Sequence, residues 1–352
     1  MSYLHKTHNR LISYFGLVTI AVFGIITTLG SGGGDDGGGV APVTYTGETA
    51  LAVITSDNAL LFGELAFLGV TAGTDISAVA VQSAPQDETR SASIITIARI
   101  LHSVMTDIDV NSALSSLPVG WIETINEPGL CGGSVSGSEE VDEVYMTFTG
   151  NLVFSGYCIF DIYLNGTIEI SGTCDPTTFD PTFQYCEPIS YTMTFTTFNT
   201  RGYGESETIT GTLASVITPT GYQSTLNLLL RDDNANKTYQ FENYVITVTE
   251  DSPTIGFDTV VVTGNVYHPD YGFVVVTTPT PVEFYSGALD SPPLTGAVLL
   301  TGAAGTSGEP TTATFTFFNT VPATFTVAVD EDGDTVTDVT WSCDWDGNCS
   351  II

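Results

Sequence analysis

The chain has 352 residues, seven Lys and Arg against 40 Asp and Glu, and a formal charge of −33. A field of that sign repels phosphate backbones and anionic bilayer surfaces, which argues against nucleic acid and peripheral membrane binding and favours cations or basic partners. Apolar residues at 42% and aromatics at 11% are enough for a packed core.

The N-terminus carries His5, Lys6, His8 and Arg10, followed by an uncharged, mostly apolar run from Leu11 to Leu29. A positive start before an apolar run is the pattern of a secretory signal, and the run approaches the ~20 residues of a bilayer span. Residues 1–30 are therefore expected to be a signal peptide or an N-terminal anchor. The rest of the chain is expected in the periplasm, at the cell surface or secreted. Residues 31–42 open with Ser31-Gly32-Gly33-Gly34-Asp35-Asp36, a tether with nothing to bury. This order resembles the start of a bacterial lipoprotein, but Ser31 stands where the acylated cysteine would be. A serine cannot form the thioether, so no lipid is expected. If residues 1–30 are removed, Lys6 and Arg10 go with them and five basic groups are left against 40 acidic ones.

Residues 43–128 read as a helical part that packs on a sheet. Leu51 to Thr55 suits a short strand. Ser56-Asp57 then caps an apolar run from Ala59 to Leu68, which Gly69 ends. Farther on, Ile94, Ile97, Ile100, Leu101, Val104 and Met105 recur at three- and four-residue spacing, predicting a second, amphipathic helix between Ser91 and Ile108. His102 lies off that stripe and reads as a surface residue.

From Gly129 the period changes to two. Val144, Met146 and Phe148 alternate with Tyr145 and Thr147, and the same design recurs at Phe160–Leu164, Tyr191–Thr196 and Leu226–Leu230. Further strands read at Tyr239–Thr249, Thr259–Tyr267, Phe273–Thr277, Ala297–Thr301, Thr314–Phe318 and Thr324–Asp330. Asn165-Gly166 reads as a hairpin turn. Residues 129–286 form an antiparallel β region, and residues 287–352 form C-terminal hairpins with acidic turns. The expected fold is mainly β with two N-terminal helices: a large antiparallel up-and-down sheet curled into a barrel, half-barrel or sandwich. A lipid-facing barrel is the rival, because it shows the same alternation.

All six cysteines lie beyond the signal, and an even number in an oxidising compartment points to disulfides. Proximity pairs Cys131 with Cys158, Cys174 with Cys186, and Cys343 with Cys349. A zinc site would need Cys-x(2–4)-Cys spacing, which is absent.

From Glu123 to Cys174 the signals run Cys131-Gly132-Gly133-Ser134, Phe154-Ser155-Gly156-Tyr157-Cys158 and Leu164-Asn165-Gly166-Thr167. The C-terminal part adds Thr277-Thr278-Pro279, Leu294-Thr295-Gly296 and Val327-Ala328-Val329-Asp330-Glu331-Asp332-Gly333-Asp334. This pattern resembles exported, β-rich bacterial proteins of unassigned function. The resemblance implies an exported β protein and transfers no catalytic residue.

Beyond the N-terminus only His102, His268 and Lys237 remain of the side chains that most often carry acid/base and nucleophilic work near neutral pH, so a non-enzymatic role is expected. The strongest constellation is Asp330-x-Asp332-Gly333-Asp334-x-x-x-Asp338, whose spacing suits calcium, which takes six to eight oxygen ligands. It departs from an EF-hand loop, with Thr335 and Trp341 where Gly and Glu belong. Asp344-x-Asp346-Gly347-Asn348 offers a second cluster. The competing reading is that Asp332-Gly333 and Asp346-Gly347 are simply hairpin turns. No other cofactor is called for. The run Glu139-Glu140-Val141-Asp142-Glu143 reads as a solvated loop, and His268, beside Pro269-Asp270, as a turn residue. Together these features point to an exported surface or periplasmic binding or structural module of unknown ligand, stiffened by calcium. Alternatives are a carrier holding a lipid or other apolar ligand in the curled sheet and a carboxylate-dependent hydrolase.

Overall fold

The computed structural model describes residues 43–77, 121–142, 144–159, 162–177, 188–202, 205–250, 256–285, 292–320, 323–344 and 348–352. The expected signal or anchor, the tether, the helix at 91–108 with His102, Cys186 and the Asp346-Gly347 dipeptide lie outside the described residues.

Strict alternation produces strands almost throughout. They are β1 Trp121–Pro128, β2 Ser134–Asp142, β3 Thr147–Ile159, β4 Ile162–Cys174, β5 Pro188–Gly202, β6 Glu205–Thr218, β7 Gly221–Asp232 and β8 Lys237–Glu250. The order continues with β9 Phe257–His268, β10 Gly272–Tyr285, β11 Thr295–Ala304, β12 Pro310–Phe318, β13 Thr324–Asp330, β14 Val339–Asp344 and β15 Cys349–Ile351. Each pairs antiparallel with its neighbours in sequence, giving one 15-stranded up-and-down sheet in the order β1 to β15. In β12 Ala313, Phe315 and Phe317 are buried while Thr312, Thr314 and Thr316 face the other way, half-exposed. This is the two-residue period of the pleat. Among the described residues β1 pairs only with β2 and β15 only with β14, so the sheet does not close into a barrel. A barrel facing lipid must close, because unpaired edge groups cost several kcal/mol in hydrocarbon.

The one helix among the described residues is α1, Ala59–Ser77. Gly69 does not end it. A Cβ on Gly69 would lie 2.7 Å from the Tyr244 ring, and one on Gly63 would lie 2.2 Å from the Phe315 ring. These glycines are seats for aromatic rings, letting the helix lie close to the sheet. Nor do Ser56 and Asp57 shape its entry. Asn58 does, its Oδ1 accepting from the Thr55 N–H and its Nδ2 donating to the Val53 carbonyl.

The strands that α1 touches show how the sheet bends. The Tyr244 hydroxyl of β8 donates to the Ala66 carbonyl (2.6 Å), and the next residue, Phe67, packs edge-on against Phe317 of β12 at 5.3 Å. Across a flat sheet those two strands would stand about 19 Å apart. A helix about 10–12 Å wide would then be out of reach of one of them. The sheet therefore bends around α1 between β8 and β12.

Bending follows a line of local irregularities running from β3 to β11. Gly156 in β3, Thr197 in β5 and Asn243 in β8 are extra residues at register shifts, with φ of 57°, 48° and 48°. Facing them in neighbouring strands are glycines at positive φ, Gly166, Gly211 and Gly264, and Gly296 of β11 lies in the same way against Pro281 and Val282 at the irregularity in β10. A Cβ on Gly211 would lie 2.2 Å from the Asn227 carbonyl oxygen, and one on Gly264 2.5 Å from that of Asn243. Side chains from the next strand satisfy the amides that the bulges expose. Asn165 Oδ1 accepts from Gly156 N–H (2.7 Å) and Asn227 Oδ1 from Asn243 N–H (2.8 Å). Bulges and glycines at matched positions are the means by which a sheet is folded across its strands. Asn165-Gly166 thus belongs to this crease inside β4; it is not the expected hairpin turn, although the same backbone freedom draws Asn-Gly to both places.

The segment before α1 is wedged into the sheet. Residues beyond Thr301 in β11 and before Val275 in β10 no longer pair with each other. The chain at Ala50–Ala52 enters the gap, with Ala52 N–H donating to Phe273 O, Phe273 N–H to Ala50 O and Ala303 N–H to Ala52 O. Ile54 N–H then donates to the fully buried hydroxyl of Thr311. The strand expected at Leu51–Thr55 is, in the structure, a single parallel bridge from Leu51 to Phe273 followed by this wedge.

Candidate functional site

The loop between β13 and β14 carries the acidic constellation. Asp330 closes β13 and is 7% exposed. Its Oδ1 accepts from Gly333 N–H (2.7 Å) and its Oδ2 from Thr335 N–H (2.9 Å), so the loop winds around its carboxylate. Asp332 Oδ1 accepts from Asp334 N–H, and Asp338 Oδ2 from Glu331 N–H. Oxygens of Asp330, Asp332 and Asp338 lie within 4.8 Å of one another. Asp334 is not part of that group; it accepts from Val336 N–H. Three of the four expected ligands therefore converge. The Asp334 N–H bond to Asp332 lowers the carboxyl pKa, but burial and repulsion from Asp334, Asp338 and Asp330 outweigh it and leave it raised.

This loop is packed against the turn between β11 and β12. Ser307 N–H donates to the Asp332 carbonyl (2.9 Å). A Cβ on Gly333, whose φ is 76°, would meet the Glu309 carbonyl at 2.1 Å. Glu331 reaches the other way, accepting from Ser56 N–H at the entry to α1. The Asp-Gly dipeptide makes the turn, and the same loop brings carboxylate oxygens of Asp330, Asp332 and Asp338 together.

Other acidic groups hold turns and strand ends. Asp344 accepts from Asn348 N–H and Nδ2–H across the turn into β15. The acidic run expected as a loop is instead the end of β2: Glu140 and Asp142 are exposed on the strand, and Asp142 Oδ1 accepts from Val144 and Tyr145 N–H to start the hairpin. Asp233 Oδ2 takes bonds from Asn199, Ser206 and Thr208, and its Oδ1 one from Arg231, tying together the ends of β5, β6 and β7.

Cys131–Cys158 and Cys343–Cys349 are disulfides with Cα–Cα distances of 5.1 and 4.1 Å. Cys174 is also disulfide-bonded, and Cys186, the partner expected for it, lies outside the described residues.

One group escaped the sequence reading. His268, expected as a turn residue, is the last residue of β9 and is buried at 5% exposure. Its ring stands 6.1 Å from Phe62, 5.4 Å from Tyr239 and 4.8 Å from Tyr271, centroid to centroid. Burial lowers its pKa, partly offset by Asp270, while Lys237 lowers it further. The signal was present: Val260, Val262, Val266 and His268 share the inward face of β9. Lys237, the lysine of the sheet, is paired with Asp270.

No helix among the described residues is long and apolar enough to cross a membrane. Comparison with protein-family models, curated proteins and solved structures gives no match.

Proposed function

We propose that this chain is an exported, non-enzymatic binding or structural module whose interactions are made by its outer loops and not by an interior cavity. The observation that carries this reading is the filling of the inward side: Phe62, Phe241 and Tyr244 interlock between α1 and the sheet at 0–1% exposure. An apolar cargo in the hollow would have to displace α1. The disulfides suit an oxidising compartment, and the open, bent sheet suits a half-barrel among the expected forms.

Native mass spectrometry of protein purified from its own host tests this. The expected mass is that of a cleaved, fully oxidised chain without an apolar adduct. A lipid that survives transfer into the gas phase would overturn the reading in favour of a carrier.

Calcium stiffening belongs to the proposal and rests on the convergence of Asp330, Asp332 and Asp338. A divalent ion would relieve the repulsion that raises the Asp332 pKa. Millimolar calcium should raise Tm above its value in chelator, matched magnesium should not, and Asp332→Asn should remove the difference. Equal melting of the wild-type protein in all three conditions rejects the ion.

A further inference from the structure

We infer that His268 and Asp270 form a proton-operated latch that holds the first turn of α1 against the β9–β10 hairpin and releases it on mild acidification. Three features of the geometry support it. First, the imidazole is an acceptor: Asp270 N–H donates to His268 Nδ1 at 3.2 Å, so Nδ1 holds no proton while the hairpin keeps this shape. Second, the ring is enclosed by Phe62 from α1, Tyr239 from β8 and Tyr271 from the turn, where an added charge loses its hydration. Third, a carboxylate is already close. Asp270 Oδ2 lies 4.0 Å from His268 Nδ1 but is engaged by Lys237.

A proton arriving on Nδ1 breaks the hydrogen bond from the Asp270 amide, because two N–H groups would then face each other. The imidazolium needs an acceptor, and Asp270 Oδ2 can supply it by swinging away from Lys237. That exchange reshapes the turn on which Phe62 and Tyr271 pack at 6.3 Å. The surrounding groups bear on the equilibrium in known directions. Asp270 favours the charged ring and Lys237 opposes it. Tyr45, whose hydroxyl donates to the His268 carbonyl, and Glu48, whose amide donates to the Pro269 carbonyl, fix the backbone of the turn from its other side. Tyr239 has a raised pKa, chiefly from burial, and stays neutral throughout the relevant range.

The test is nitrogen NMR of the histidine rings together with amide hydrogen exchange at pH 7.5 and 5.5, corrected for intrinsic rates. His268 should be the Nε2–H tautomer at neutral pH and should titrate below a free imidazole. Amides of residues 59–66 and 268–273 should exchange about tenfold faster at the lower pH, and His268→Phe should abolish the acceleration. In the exposed variants Asp270→Asn and Lys237→Gln, the midpoint should move down and up respectively, which keeps the test open even if His268→Phe fails to fold. A ring that titrates like free histidine, or midpoints indifferent to both variants, would overturn the latch.

Discussion

At Gly63 a single hydrogen decides where α1 can lie. The Phe315 ring occupies the space of its missing side chain, as the Tyr244 and Phe241 rings do at Gly69. Gly63→Leu should lower stability by about 1–3 kcal/mol in urea titration, since overpacking outweighs the roughly 1 kcal/mol gained in helix propensity. Tyr244→Phe removes the buried bond to Ala66 and should cost about 1 kcal/mol. The pKa of His268 is lowered in the folded state, so the unfolded chain binds the proton more readily. Its contribution to stability is complete above the unfolded value of about 6.5 and is lost as pH falls towards the lower folded value. Tm should thus decline between pH 7 and 5 in the wild type, with a flatter profile in His268→Phe. At this scale the sequence was legible where one residue type has one use. Cys131 with Cys158, Cys343 with Cys349, and the acids at 330, 332 and 338 came together as spacing suggested. A glycine, by contrast, serves equally to end a helix or to seat a ring, and only the partner ring tells which. Nothing local to residue 69 could name Tyr244, 175 positions away.

The crease belongs to the scale of elements. Gly166, Gly211, Gly264 and Gly296 sit at positive φ with a neighbouring carbonyl in the place of a Cβ, so two independent penalties act on a substitution at any of them. Gly211→Ala should cost at least about 2 kcal/mol, whereas Ser or Ala at the exposed Asn227 should cost about 1 kcal/mol by freeing the Asn243 amide. Denaturant midpoints of the two variants measure the gap between them. Strand identity was readable because the pleat imposes its period on whatever sequence occupies it; β13 begins and ends at Thr324 and Asp330, where the alternation does. The bulges were not readable, because one inserted residue looks like a lapse in alternation and gives no sign of the strand that will face it. Asn165-Gly166 was misread for that reason. So was the hairpin between β2 and β3, where Val144 and Tyr145, expected inside a strand, are 75% and 77% exposed at its tip.

Over the whole molecule, the acidic surface is the dominant unbalanced term. A formal charge of −33 has few basic partners to offset it, and Arg231 and Lys237 are each already bound to one carboxylate. Self-repulsion of this kind is screened within about 10 Å at 0.1 M salt and within 3 Å at 1 M. Raising sodium chloride from the first concentration to the second should raise Tm, and a fall would show that attraction between charges outweighs repulsion. The disulfides act on the same scale. By loop closure Cys131–Cys158 is worth roughly 3–4 kcal/mol and Cys343–Cys349 roughly 2. Reduction should therefore loosen the first part of the sheet more than its last hairpin.

The wedge at Ala50–Ile54 has a consequence in time. A ribosome delivers this segment more than two hundred residues before Phe273, Ala303 and Thr311, to which it bonds. An up-and-down sheet can grow hairpin by hairpin as the chain emerges, since each strand needs only its predecessor. The apolar helix cannot join that progression; its seats on Phe315 and Phe317 do not exist until β12 has been made. The helix is thus made before the strands that seat it, and has to be kept from other surfaces until β12 arrives to receive it. A permuted chain that supplies residues 43–77 after β15 would remove the wait, and its refolding rate would measure how much of the folding time the delay accounts for.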